Sequence, residues 1–465
     1  MFKSWREKIR ARLNQQAHVA VDLFDERNHL ASARQKFLGA LPYWIAGAAT
    51  ALAAIIYAQI FHRAELLAAE LLVFAGYGLL VITPSLFLVS WWLVDRFAPY
   101  ANGSGIPQLM AASELTETPG AAAVIPRLLG LRIILVKVAS SLVAVVGGGA
   151  IGREGPTLQI AGSIFDLTNR YLPARLKIPN RQGMILAGGA AGLAAAFNTP
   201  LGGIAYVIEE LAKSHLSFFR TGILHAVVVA GLISQVVMGS YLYFGYPKLA
   251  EFSWGQVGMV ILVSLSAGLV GALFGQFLKY IFQLRALFTS RGAKALAALT
   301  FGFLFALLIV FVTPKTMGSG REVIDPLLFR EGVATPADLF ARFIGSGLTF
   351  ASGGAGGIFA PTLAIGGATG SLVATFVLGT LLPLAALAGM TAALAALTHS
   401  PLTAFILILE MTDRHSSILP LMMAAMIGQG VSKLISKQSF YEFVAQRLVA
   451  TLAPSSAQST RDGDP

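Results

Sequence analysis

Two adjacent charges, Arg153 and Glu154, stand inside the segment GGGAIGREGP at residues 147–156. An apolar run covering roughly residues 130–150 precedes them, and a second apolar stretch follows. An ionisable side chain at membrane depth costs free energy, so it marks a functional site by default. An ion pair with Arg153 is the alternative, but adjacent residues on one helix do not face each other well. Glu154 is therefore the first candidate for chemistry.

Three segments share a glycine, a short spacer and a proline before an apolar run: GSGIP at 103–107, GREGP at 152–156 and GGIFAP at 356–361. Proline suits the first turn of a helix, so each segment predicts a helix N-terminus. The unpaired amides and the dipole at such an end attract anions, and in hydrocarbon they must face protein, water or an ion. One such segment alone is better explained as a tight bend. Three of them predict an anion site, in which a tethered carboxylate would compete with the anion.

Two of these segments belong to an internal repeat. GGAIGREGPTLQIAGS at 148–163 resembles GGAGGIFAPTLAIGGA at 353–368, and AAAFNTPLGGIAYVIEE resembles AALTHSPLTAFILILEM. Pro156 matches Pro361, and Pro200 matches Pro401, so two halves of about 200 residues carry the same landmarks in the same order. Gly/Pro-interrupted segments in corresponding positions of two halves point to a transport site.

Two neighbouring glutamates, Glu209 and Glu210, follow Pro200 by nine and ten residues. A helix that begins at Pro200 carries them about 14–15 Å along its axis, half the thickness of the hydrocarbon layer. Their directions differ by about 100°, so at most one points into a given pathway. In the repeat Glu209 matches Glu410, whereas Glu210 matches Met411. A carboxylate found in both halves is predicted to be structural, and Glu210 is the candidate for chemistry.

Two other polar residues, Ser104 and Lys137, each have two possible roles. The hydroxyl of Ser104 is either a donor to the anion or an ordinary N-cap. Lys137, inside an apolar run, either sets the local potential or pairs with a carboxylate. The seven histidines form no i,i+3 or i,i+4 pair, so no metal site is expected.

Composition sets the class of protein. Of 465 residues, 55% are hydrophobic and 12% charged, against about 25% charged in soluble domains, which predicts a polytopic membrane protein. The 48 glycines fit closely packed membrane helices. The net charge of +11 is explained by cytoplasmic loops and tails rather than by nucleic acid binding. The absence of cysteine excludes disulfides and thiolate chemistry.

The ends of the chain differ from its middle. No secretory signal is visible, and five of the first twelve residues are basic, which predicts a cytoplasmic N-terminus. We expect an N-terminal helix or segment at 1–40, a membrane domain at 41–447 with halves near 41–245 and 246–447, and a disordered tail at 448–465.

One motif points to a different class of protein. Gly147, Gly149 and Gly152 satisfy GxGxxG, with Asp166 at the distance of a ribose-binding acid. The fingerprint requires a soluble strand–turn–helix unit, whereas here it ends an apolar run of membrane length. A membrane redox enzyme is thus the minor alternative, and a purely structural scaffold would leave Glu154 and Glu210 without a purpose.

The chain resembles the CLC family of chloride channels and transporters over about residues 40–447. The three segments GSGIP, GREGP and GGIFAP stand in the family's order, and AAFNTPLGGIAYVIEEL is similar as well. The resemblance implies an all-α polytopic membrane protein with the CLC fold, built of two inverted-topology repeats of tilted and partial-depth helices. It also implies a homodimer in the lipid bilayer, with a separate chloride pathway in each subunit.

The resemblance also implies a set of site residues. The serine of GSGIP and a tyrosine near the C-terminus, matched by Tyr441 in SFYEFVAQRL, would hold the anion. Arg153 and the backbone of GREGP and GIFAP would complete the site. The anion-binding residues implied are Ser104, Arg153, Gly155, Ile358, Phe359 and Tyr441.

The two acidic candidates take roles from the same resemblance. Glu154 matches the gating glutamate, which blocks the path when ionised and swings out when protonated. Glu210 matches the internal proton relay of the family's exchangers. Departures from the pattern are Gln108 and Met110, at positions where the family has acidic residues. Neither CBS domains nor nucleotide regulation are expected.

The function implied is secondary active exchange of chloride for protons, with a passive voltage- or pH-gated chloride channel of the same fold as the alternative. Serine in GSGIP favours chloride over nitrate. We expect no enzymatic activity, no cofactor and no metal, and a location in a bacterial inner membrane.

Overall fold

The computed structural model describes residues 2–211, 220–239, 242–249, 252–329, 332–378, 383–412 and 415–453, with side chains from residue 37 onward. This part of the chain is helical and holds two isolated β-bridges but no strand. The strand required by the GxGxxG fingerprint is therefore missing, and the nucleotide alternative loses its structural context.

The helices of the first half are α1 Phe2–Ala75, α2 Leu79–Phe97, α3 Ile106–Leu115, α4 Ile125–Leu128, α5 Leu131–Val146, α6 Glu154–Tyr171, α7 Arg181–Phe197, α8 Pro200–Tyr206 and α9 Arg220–Met238. A π-helical turn, Val207–Leu211, extends α8. Those of the second half are α10 Val257–Ala286, α11 Arg291–Phe311, α12 Arg321–Phe329, α13 Pro336–Ser352, α14 Phe359–Leu378, α15 Pro383–Thr398, α16 Pro401–Thr412, α17 Ile418–Ile435 and α18 Phe440–Leu452.

Long and short apolar helices are mixed, which makes this an integral multi-pass membrane protein. Seven helical segments of the described residues are long and apolar enough to cross a bilayer. Helices α15 and α16 are apolar but have only 16 and 12 residues. At 1.5 Å per residue α16 is about 18 Å long, well short of a bilayer core of about 30 Å. The predicted partial-depth helices are thus confirmed.

The repeat is visible in the backbone. Asn198 and His399 are the only non-glycine residues with positive φ, 58° and 60°, in the described part of the chain. They follow α7 and α15 and lie 201 positions apart, the same offset as Pro200 and Pro401. A left-handed residue ends a helix and lets the chain reverse, so both halves turn back into a partial helix at the same point.

The matched pair Glu209 and Glu410 joins the two halves. Glu410 accepts the N–H groups of Leu201 and Gly202 at 3.1 and 2.7 Å, in the first turn of α8. Glu209 accepts those of Leu402 and Thr403 at 3.1 and 2.8 Å, in the first turn of α16. Each carboxylate therefore caps the helix of the other half, which is the structural role that the repeat predicts for Glu209.

We expect Glu410→Ala to lower the free energy of unfolding by about 2 kcal/mol, because two first-turn amides of α8 lose a charged acceptor. The thermal unfolding of the detergent-purified protein measures this. Glu70→Ala is the matched control, since Glu70 is exposed and makes no hydrogen bond or ion pair within the described residues. Equal stability of the two variants would contradict the capping role.

Helix ends do not coincide with the expected segment boundaries. Helix α1 runs without a break through residue 40, where the N-terminal segment was expected to end. Helix α18 continues to Leu452, past the expected start of the tail at 448, and the rest of that tail from 454 lies outside the described residues. The division into halves near 41–245 and 246–447 stays a prediction.

Candidate functional site

The three glycine–proline segments meet in the structure. Gly103 donates to the carbonyl of Gly354 at 2.9 Å and accepts from the N–H of Gly356 at 3.0 Å. Gly152 and Gly357 exchange two hydrogen bonds of 2.8 Å. These contacts join the loops before α3, α6 and α14, so the three predicted helix N-termini are confirmed and lie together.

The loops approach so closely that a side chain would not fit between them. A Cβ atom on Gly155 would lie 2.3 Å from the Oγ of Ser104 and 2.6 Å from its carbonyl oxygen. A Cβ on Gly357 would lie 3.1 Å from the nitrogen of Gly155. The amides of Gly155, Ile358 and Phe359 have no carbonyl acceptor in the described part of the chain. Unpaired amides at helix starts favour an anion.

Two buried hydroxyls face the same region. Ser104 is 3% exposed and Tyr441 is fully buried. Neither hydroxyl makes a hydrogen bond of 3.5 Å or less with a described residue, and the two hydroxyls lie close to each other. The N-cap of α3 is Gly105, so Ser104 is not the cap. Two orphaned donors beside unpaired amides match the needs of an anion.

Helix α18 supplies a fourth N-terminus, which the search for glycine–proline segments missed. Tyr441 lies in its first turn, and its N-cap is Ser439, whose hydroxyl accepts the N–H of Glu442 at 3.1 Å. A serine three residues before a glutamate is the sequence signal that predicts such a start.

Lys137 is fully buried and is held by carbonyl oxygens. Its Nζ donates to Gly103 at 2.9 Å and to Asn102 at 3.4 Å, in the loop before α3. Within the described residues it has no acidic partner. The explanation by pairing with a carboxylate therefore has no support in the structure, and the observed role of Lys137 is to hold the loop before α3.

Glu154 is fully buried at the first residue of α6. Its Oε1 accepts a hydrogen bond from the hydroxyl of Tyr243 at 3.1 Å, while Oε2 lies against Gly152 and has no partner in the described part. Arg153 makes no salt bridge with it and donates instead to the carbonyl of Ala58 at 3.3 Å. The ion-pair explanation of Glu154 is therefore wrong.

A cavity of about 230 Å³ lies beside this glutamate, since Arg153, its neighbour in the chain, and Tyr243, its hydrogen-bond donor, both line it. Charged and titratable side chains that line it are Arg153, Arg321, Glu65, His62 and Tyr243. Sequence reasoning missed Tyr243 because the segment after α9 contains no motif.

Glu210 is 2% exposed and lies in the π-helical turn after α8. Its Oε2 accepts from the hydroxyl of Ser400 at 2.6 Å, and its Oε1 accepts from that of Ser439 at 3.4 Å. A cavity of about 310 Å³ borders it, lined also by Glu114, Glu117 and Glu442. Polar groups thus connect Glu210 to the start of α18 on one side and to an acidic cavity on the other.

The two glutamates lie toward opposite ends of a spanning helix. Helices α1 and α9 run in the same direction, since Tyr43 packs on Gly222 and Gly47 on Ala226. Residues at the ends of these paired segments line the cavity beside Glu154, namely Ala58, Gln59, Phe61, His62 and Glu65 from α1 and Met238 from α9.

Helix α8 begins against the middle of α9, where Pro200 contacts Gly231. The chain reaches Glu210 ten residues later and enters α9 at Arg220. Glu210 therefore lies toward the start of α9, and Glu154 toward its end.

Sequence comparisons place this arrangement among known proteins. The profile of the family described as voltage gated chloride channel matches residues 86–433. The H+/Cl− exchange transporter ClcA of Vibrio cholerae serotype O1 (strain M66-2) is 31% identical over 385 residues, 79% of this chain and 79% of that protein. The protein of the same name from Vibrio campbellii is 29% identical over 386 residues, again 79% of each chain.

Solved structures share the fold. A slow cyanobacterial Cl−/H+ antiporter superposes with a TM-score of 0.76 at 24% identity, covering 89% of this chain and 98% of its own. A CLC-type fluoride/proton antiporter gives 0.73 at 18% identity, covering 87% and 97%. A eukaryotic CLC transporter gives 0.72 at 22% identity, covering 88% and 74%. The chain therefore has the CLC fold, and with its sequence match it belongs to the voltage gated chloride channel (CLC) family.

Proposed function

We propose that this protein exchanges chloride for protons across a membrane, with Glu154 as the gate and Glu210 as the internal proton relay. The observation that carries the proposal is the placement of two buried carboxylates toward opposite ends of α9, with the buried hydroxyl of Tyr441 in the region between them. Relatives named H+/Cl− exchange transporters support the choice of substrates.

In this proposal chloride binds where the helix starts meet. The hydroxyls of Ser104 and Tyr441 donate to the anion, and the amides of Gly155, Ile358 and Phe359 complete its contacts. Arg153, at the start of α6, adds positive potential. In this proposal the direct contacts to the anion come from neutral donors and helix dipoles, so the anion can leave again, as conduction requires.

The gate follows from competition for those donors. An ionised Glu154 carboxylate is an anion tethered to the start of α6, so it can take the place of chloride. When protonated it loses its charge and its affinity for the amides, and chloride enters. One position therefore serves a proton-bearing carboxyl group and an anion in turn, which couples the two fluxes.

Protons reach the pathway through Glu210 in this proposal. The hydroxyls of Ser400 and Ser439 hold its carboxylate, and the acidic cavity beside it leads protons toward it. With the N-terminus in the cytoplasm, as the basic start of the chain predicts, the beginning of α9 faces inward and Glu210 is the cytoplasmic relay. We further propose a homodimer, in a bacterial inner membrane, in which residues 41–447 carry the function.

Chloride efflux from liposomes tests the anion assignment. Purified protein is reconstituted in liposomes loaded with potassium chloride, efflux is started with valinomycin and a protonophore, and a chloride electrode records it. Rapid release of chloride, with slower release from nitrate-loaded liposomes measured by the corresponding electrode, is expected. Release of fluoride without chloride would contradict the proposal and reopen the choice of anion.

A further inference from the structure

Tyr243 is the one side chain that hydrogen-bonds to the carboxylate of Glu154 within the described residues. It lies between α9 and α10, is 4% exposed, and lines the cavity beside Glu154. A phenol hydroxyl that donates to an ionised carboxylate forms a charge-assisted hydrogen bond, stronger than one between neutral groups. This hydrogen bond therefore contributes to the position of the Glu154 side chain.

The ring of Tyr243 is fixed by contacts on several sides. The guanidinium carbons of Arg321 and Arg153 lie 4.8 and 5.6 Å from its centroid, within cation–π range. Arg321 also donates to the backbone carbonyl of Tyr243. Phe197 and Phe244 meet the ring edge-on, with centroids 4.9 and 4.8 Å away. A ring clamped in this way presents its hydroxyl to Glu154 from one direction.

We propose that Tyr243 is a positioning residue that holds the Glu154 side chain on the cavity side, out of the anion pathway. The inference rests on the proposed function, since it concerns the gating carboxylate. Arg153 and Arg321 contribute to this positioning, because they contact the ring of Tyr243 and do not form a salt bridge with Glu154. The remaining charged or titratable groups on this cavity are Glu65 and His62, from α1, and neither hydrogen-bonds to Glu154.

Loss of the Tyr243 hydroxyl is expected to change the equilibrium between two positions of the Glu154 side chain. Without it, an ionised Glu154 spends more time among the unpaired amides at the helix starts, where it excludes chloride. A hydrogen bond to a charged group has a free energy that corresponds to a change of roughly tenfold or more in such an equilibrium. Tyr243→Phe removes the hydroxyl that donates to Glu154 and keeps the ring and its cation–π contacts.

The test is a double-mutant cycle in chloride flux through proteoliposomes at pH 7. In the native background we expect Tyr243→Phe to lower chloride flux about tenfold. In a Glu154→Ala background, which has no carboxylate to position, the same change should leave flux unaltered. Tyr246→Phe is the matched control in both backgrounds, since Tyr246 lies in the same segment and is 55% exposed.

Two results would overturn the inference: native flux that is unchanged by Tyr243→Phe, or an equal loss in both backgrounds, which marks a purely structural role. A different result would show that the proposed function itself is wrong. Coupled proton movement that persists in Glu154→Ala would overturn the gate assignment, while the chloride-flux cycle would still measure whether Tyr243 acts through Glu154.

Discussion

Replacement of Glu154 by glutamine is expected to leave anion flux in place while it abolishes proton coupling and most of the pH dependence. Glutamine has nearly the same shape as the protonated acid, but it can neither carry a proton nor gain a charge. The variant therefore stays in the conducting form at every pH. Parallel recordings of chloride and proton flux in proteoliposomes, between pH 4.5 and 7.5, measure the change.

Glu65→Gln is the matched control for this variant. Glu65 lines the same cavity, and its carboxylate accepts the N–H of Ser319 at 2.8 Å, which ties α1 to the loop before α12. Coupling should survive in Glu65→Gln and disappear in Glu154→Gln. Proton pumping that persists in Glu154→Gln would contradict the gate assignment.

Replacement of Glu210 by glutamine is expected to lower proton flux about 100-fold or more, while chloride still passes. The amide can keep hydrogen bonds to Ser400 and Ser439, so the surrounding structure is retained, but the group can no longer take up and release a proton. A positioned proton-transfer group typically changes rates by 10²–10⁴. The measurement is the ratio of proton to chloride flux in proteoliposomes.

The neighbouring glutamate offers a control of the same type, one residue away. Glu209 caps α16 through Leu402 and Thr403, so Glu209→Gln should reduce thermal stability and leave the flux ratio unchanged. If Glu209→Gln stops proton movement and Glu210→Gln does not, the choice within the pair is wrong.

The sequence predicted those parts of the site whose signal is local. Glycine and proline mark helix starts through their own backbone preferences, so the segments around Ser104, Glu154 and Phe359 stood out. The repeat separated Glu209 from Glu210 because only the former has a counterpart in the other half. The structure explains this sequence match, because Glu209 and Glu410 each cap a helix of the other half.

Other contacts arise only from tertiary packing. Tyr243, Ser400 and Ser439 come from separate elements, and no spacing between them signals that they meet Glu154 or Glu210. Tyr441 was reached by resemblance alone, since its helix starts with a serine cap and lacks the glycine–proline pattern. Apolar periodicity also leaves helix ends undefined, and for this reason α1 and α18 pass the expected boundaries at 40 and 448.

The central claim is that chloride and proton movement are obligatorily coupled, and uphill proton transport tests it most directly. Proteoliposomes are prepared with high chloride inside, low chloride outside, equal pH on both sides and the voltage held at zero with potassium and valinomycin. As chloride leaves, an exchanger takes up protons although the pH is initially equal on both sides, and the external medium becomes alkaline. Addition of a protonophore then abolishes this pH difference. Chloride release without any change in external pH would identify a passive channel and contradict the account.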